Sequence, residues 1–140
     1  MNIRQNKSGF TLLEIIIVII IVGVLTSLAL PRFFSTVEYS RSTEAFSSLG
    51  AVRQSLERCY LQRSGSYANC TVFANLDIEN PANSPNAHFA YTITGASATG
   101  YTINANRNTI DGGSATGWVV ITQAGTAVTR TGAGAFQGIQ

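Results

Sequence analysis

From Phe10 to Leu30 the chain is apolar apart from Thr11, Glu14 and the hydroxyls of Thr26 and Ser27, and Pro31 follows. Twenty-one residues rising 1.5 Å each reach about 31 Å, the hydrocarbon thickness of a bilayer. The run Ile15 to Val22 is wholly β-branched and would favour a strand in water. In lipid every backbone group must be bonded within its own segment, so the pattern predicts a helix. Beyond Pro31 the spacing turns amphipathic: Ala45, Leu49, Val52, Leu56 and Cys59 or Tyr60 recur every three or four residues, with Arg53 and Glu57 spaced for an i,i+4 pair. With Ser64-Gly65-Ser66 as the stop signal, one helix is expected from about Phe10 to about Arg63. Proline removes a backbone donor and clashes with the preceding turn, so a kink or break is expected at Ala29 to Pro31, in a stretch that Gly23, Thr26 and Ser27 soften.

From Ser64 to Ala87 short apolar pieces are broken by Asn, Ser, Pro81 and Pro85, which predicts an irregular loop with room for one helical turn. Alternation then takes over in four runs: Phe89, Tyr91 and Ile93; Tyr101, Ile103 and Ala105; Trp118 to Thr122; Thr126 to Thr131. Glycines between them mark turns, so an antiparallel meander of about four strands is expected against the helix. The fold class is thus α+β: a long N-terminal helix, its first half membrane-spanning, on a small antiparallel sheet. The exposed faces of this region are expected to be neutral, with Arg107, Asp111 and Arg130 as their charges and His88 as a solvated loop residue.

Charge adds direction. The formal charge of +2 invites a nucleic-acid reading, but Arg4 and Lys7 precede the apolar run. Removing them leaves seven basic residues against seven acidic ones, so no net field draws in polyanions and nucleic acid is not an expected partner. Arg4 and Lys7 ahead of the span keep the N-terminus cytoplasmic and export residues from about 32 onward. Cys59 and Cys70 both lie in the exported part and fit no metal pattern. A disulfide is the economical reading, with two free thiols as the alternative. A basic start, an apolar stretch and Ser27-Leu28-Ala29 also fit a secretory signal. The length of the stretch, the acid inside it and the helical pattern beyond Pro31 count against that.

Gly9-Phe10-Thr11-Leu12-Leu13-Glu14 resembles the cleavage and methylation motif of type IV pilins and type II secretion pseudopilins. The resemblance covers the leader and about the first 22 residues after it. It implies that a membrane aspartyl prepilin peptidase cuts after Gly9 and that the new N-terminal Phe10 is N-methylated. It places Glu14 at the family's fifth mature position, Gly23 where the helix often loosens and Pro31 at the usual kink. It further implies that the Phe10 amine of one subunit pairs with the Glu14 carboxylate of another in the apolar filament core. An unpaired carboxylate there opposes burial, so the charge sets the axial register of a docking subunit.

The organisation expected is a leader at 1–9, an assembly helix at 10–31, its amphipathic half at 32–63 and a globular domain at 64–140. The function expected is a structural subunit of a type IV pilus-like filament. The partners are other subunits, the prepilin peptidase, inner-membrane assembly machinery and, before assembly, lipid. The location is the bacterial inner membrane, single-pass, then a periplasmic or surface filament. A type II secretion pseudopilin is the alternative, although only Asp111 lies beyond Glu79 where that branch of the family commonly carries acidic calcium ligands. A DNA-binding competence minor pilin is a second alternative, thinly supported by Arg107 and Arg130. No catalytic residue, metal or cofactor is expected, because His88 has no nucleophile or carboxylate partner in the sequence pattern.

Overall fold

The computed structural model describes residues 9–138. The leader residues ahead of Gly9 lie outside them. Helix α1 runs Leu12–Gln62, followed by strands β1 Phe89–Thr94, β2 Gly100–Arg107, β3 Trp118–Ala124 and β4 Ala127–Ala133. The chain forms two compact units that divide between Thr36 and Val37, and α1 belongs to both.

In the first unit Thr11 caps the helix: its Oγ1 accepts the backbone N–H of Glu14 at 3.2 Å. The acid in the first turn also faces the positive end of the helix dipole. The helix continues unbroken through Gly23 and Pro31. Ser27 Oγ donates to the Val24 carbonyl at 2.7 Å, so this hydroxyl is satisfied within the apolar stretch. The most apolar window has a mean hydropathy of 2.8 and none of it is buried within the chain. Its length and composition suffice to cross a membrane.

In the second unit the helix buries Ser42, Ala45, Leu49, Val52, Ser55, Leu56 and Cys59, the stripe that the spacing predicted with two serines added. Left-handed Ser64 and Gly65 (φ 58° and 80°) end it, with Gly65 N–H donating to the Tyr60 carbonyl at 2.9 Å. The sheet is an antiparallel meander in the order β1-β2-β3-β4. Its inward residues include Phe89, Tyr91, Tyr101, Ile103, Ala105, Val119 and Ile121, which meet the helix stripe in one core. The irregular segment holds two short 3-10 turns, Phe73–Asn75 and Pro81–Asn83. After β4 a further 3-10 turn, Gly134–Phe136, folds the fully buried Phe136 against Phe89.

Two expectations about the surface are corrected. Arg107 is 2% exposed and His88 is 7% exposed. Arg107 continues the inward parity of Tyr101, Ile103 and Ala105, and a carboxylate on the helix awaits it there.

Candidate functional site

Three constellations carry the chemistry. The first is the start of the chain, where Gly9 is exposed, Phe10 is 81% exposed and Glu14 sits in the first helical turn. Gly23 and Pro31 lie further along the same apolar helix. The scissile position expected after Gly9 is therefore outside the helix and sterically open to a protease.

The second is a polar cluster where the end of β2 and its following loop meet the helix. The Arg107 guanidinium grips Glu38 with both arms, Nε to Oε2 at 3.0 Å and Nη2 to Oε1 at 2.9 Å. Its remaining nitrogen donates to the carbonyls of His88 at 3.2 Å and Asn108 at 3.0 Å. That hydrogen bonding from Arg107 holds the Glu38 carboxyl below the usual carboxylate range. The guanidinium carbon lies 5.9 Å from the centre of the Phe89 ring. His88 Nδ1 is 2.7 Å from Glu44 Oε2 and its Nε2 is 3.0 Å from Asp111 Oδ2, while its backbone N–H also donates to Glu44. Arg41 reaches the same ring and lies 3.5 Å from Asp111. The loop after β2 presses closely on this cluster: a Cβ on Gly113 would collide with the Arg107 guanidinium. The arrangement binds helix, loop and sheet together. No group of three or more metal-ligating side chains occurs among the described residues.

The third lies at the other end of the sheet. Cys59 and Cys70 are bridged, with Cα atoms 6.2 Å apart, tying the helix to the irregular segment. Arg58 and Ser55 both bond Asp77 in that segment, and the Arg58 bond first, then Ser55, lowers the Asp77 carboxyl to about 2. Tyr60 and Tyr67 lie tilted against each other with ring centres 4.5 Å apart, and Tyr67 meets Tyr101 edge-on at 4.8 Å. Tyr67 donates its hydroxyl to Glu57 at 2.8 Å. Burial pushes the Tyr101 hydroxyl up to about 12, with Glu57 adding to the shift. Glu57 thus serves the tyrosines, and no Arg53–Glu57 ion pair forms among the described residues.

Sequence spacing located the processing motif and the cysteines but missed both ion-pair systems. The parity of Arg107 within β2 was the one available signal, whereas Arg58–Asp77 spans an irregular loop that local spacing does not encode.

The family model described as type IV minor pilin ComP, DNA uptake sequence receptor, matches residues 31–116. The model described as the prokaryotic N-terminal methylation motif matches residues 4–30. Among curated proteins, fimbrial protein EcpC of Eikenella corrodens is 38% identical over 58 residues, 41% of this chain and 38% of that protein. The type IV narrow pilus major component PilA5 of Thermus thermophilus is 34% identical over 71 residues, 51% of this chain and 61% of that protein. The type II secretion system core protein G of Aeromonas hydrophila is 37% identical over 54 residues, 39% of this chain and 38% of that protein. The chain thus spans less than two thirds of the length of these relatives.

Proposed function

The chain belongs to the family of type IV minor pilins described as ComP, DNA uptake sequence receptor, and on that premise we propose that it is a minor pilus subunit acting in DNA capture. Its family membership makes it a structural filament subunit rather than an enzyme. The observation that carries the finer role is the match over residues 31–116, which takes in the helix from Pro31 onward, β1, β2 and their loops, all beyond the processing motif. Charge balance alone ranked this role behind a general pilus subunit, and the family match raises it.

In this reading the leader is removed after Gly9 and Phe10 is methylated. The mature chain waits in the inner membrane with its N-terminus cytoplasmic, then enters a filament through α1. Glu14 pairs with a neighbour's Phe10 amine, while Gly23 and Pro31 let the helix loosen as it leaves lipid. The unburied apolar face of the first unit supports this, because an exposed stretch of that hydropathy needs either lipid or other helices around it. The relative named core protein G supports a pseudopilin as the second reading.

Deleting the gene while keeping the rest of the pilus genes separates these roles. Surface filaments should persist and uptake of labelled DNA should collapse. Disappearance of the filaments would make it the principal subunit. A loss of protein secretion with DNA uptake intact would make it a pseudopilin.

A further inference from the structure

The arginines of the second unit are not equally available. Arg41, Arg58 and Arg107 are each engaged with a carboxylate. Arg53, Arg63 and Arg130 have no carboxylate within 4 Å among the described residues, and of these Arg53 and Arg130 both line one hollow of about 520 Å³ between α1 and the edge of the sheet. A second hollow of about 560 Å³ shares Arg53 and Glu57 with the first and extends past Tyr60 and Gln123. The two form one trough, with the helix as one wall.

Its position follows from the register. Arg130 stands opposite Ile121 across the β3–β4 pair, so it projects to the helix side of the sheet from the edge strand. Two buried polar atoms of residues that line the trough lack partners among the described residues: the Nε donor of Arg53 and the Oε1 acceptor of Gln123. Gln123 is 9% exposed, and its amide nitrogen is fixed on the Gly125 carbonyl at 2.5 Å, which holds Oε1 in place. Orphaned buried donors and acceptors are costly. With a small turn of the two side chains toward the trough, a ligand with an anionic acceptor and a nearby N–H donor satisfies both at once. A nucleotide strand has that chemistry, with phosphate oxygens beside base amino groups.

Building on the DNA-capture reading, we propose that this trough between α1 and β4 receives one strand of DNA, with phosphates on Arg53 and Arg130 and a base amino group on Gln123. Glu57 is the single opposing charge, and the hydroxyl of Tyr67 holds its carboxylate. It tempers the field of the two arginines and keeps non-specific affinity low.

The test uses the purified full-length chain in detergent, a fluorescent oligonucleotide and a salt series. Arg53→Gln with Arg130→Gln should weaken binding at least tenfold at low salt. The slope of log K against log salt should fall by about 2, one unit for each phosphate that is no longer neutralised. Glu57→Gln should tighten binding severalfold, since the amide can still accept from Tyr67. Arg58→Gln, outside the trough, should leave affinity unchanged. Gln54→Glu, an exposed helix position on the rim, adds a negative charge and should weaken binding even where the double variant folds poorly. If the wild-type chain binds no DNA at low salt, the capture reading fails, and this inference with it. If the wild type binds and the double variant keeps both affinity and slope, DNA uses another surface; the inference is then overturned while the capture reading stands.

Discussion

Removing the Glu38 side chain should be far more damaging than its single charge suggests. Arg107 is fully buried and delivers two of its nitrogens to Glu38 at 2.9 and 3.0 Å. In Glu38→Ala the guanidinium keeps its carbonyl acceptors on His88 and Asn108 but faces its former partner with a buried, uncompensated charge. Breaking a buried pair from one side costs about 3–5 kcal/mol, out of a total stability of about 5–15 kcal/mol for a domain. For a unit of this size that lowers the melting temperature by at least about 12 °C. Thermal unfolding of the full-length chain in detergent, read by Trp118 fluorescence, measures it. Two comparisons isolate the cause. Arg58→Ala breaks a solvent-exposed pair, which water and salt already screen, and should lower the melting temperature far less. Glu38→Leu with Arg107→Met replaces both partners by apolar groups and should recover much of the single variant's loss. A Glu38→Ala loss no larger than that of Arg58→Ala would refute the reasoning, because Arg107 would then be solvated in solution.

Acid should weaken the domain through the same groups. Glu38 and Asp77 both have folded pKa values depressed by arginine, so their contribution is complete above the ordinary carboxylate range and lost as pH falls through the folded values. Stability followed from pH 6 downward should decline below about pH 4.5 and continue to fall toward pH 2, the folded value of Asp77; a flat profile would contradict the ion pairs. Reduction of Cys59–Cys70, or Cys70→Ser, opens a short loop and should cost about 3 kcal/mol. Alkylation with and without reductant reports the bridge, and unfolding reports its worth. Glu14→Val should insert in the membrane as well as wild type or better, since it removes a charge that opposes burial in lipid. Filament incorporation should nevertheless fail, and incorporation at the wild-type level would show that packing alone sets register.

What could be read from the sequence was what repeats along the chain. The apolar run, the stripe Ala45, Leu49, Val52, Leu56 and Cys59, and the alternation in β1 to β3 each follow from one element's own period and appear where the spacing placed them, whereas the edge strand β4 forms in its place without an alternating buried face. What escaped depends on partners distant in sequence. Glu38 and Arg107 are 69 positions apart, and Ser55 and Asp77 are 22 apart. Phe136 was hidden differently: it is a lone aromatic in a glycine-rich tail with no period around it, yet it is fully buried. Thr11 was legible in principle, since Thr-x-x-Glu ahead of an apolar run is a capping signature. Its role was obscured because Glu14 already had a reading in assembly.

The hidden partners share a purpose. The segments 64–88 and 108–117 contain little regular structure, so few of their backbone bonds are made within elements; the first is held by the Cys59–Cys70 bridge and by Tyr67 and Cys70 in the core, and charge adds to this in both. Polar bonds link each further: Asp77 to Arg58 and Ser55 of the helix, His88 to Glu44 and Arg41 of the helix, and the loop after β2 to Arg107 of the sheet and, through Asp111, to Arg41. In a chain with only 11% charged residues, these anchors engage Arg41, Arg58 and Arg107 with the carboxylates they meet. Of the arginines of the second unit that meet no carboxylate among the described residues, Arg53 and Arg130 share one trough, while Arg63 is exposed just past the end of α1. Two cations sharing one trough give a polyanion a stronger local field than a single exposed arginine does, which favours that trough as the place of encounter.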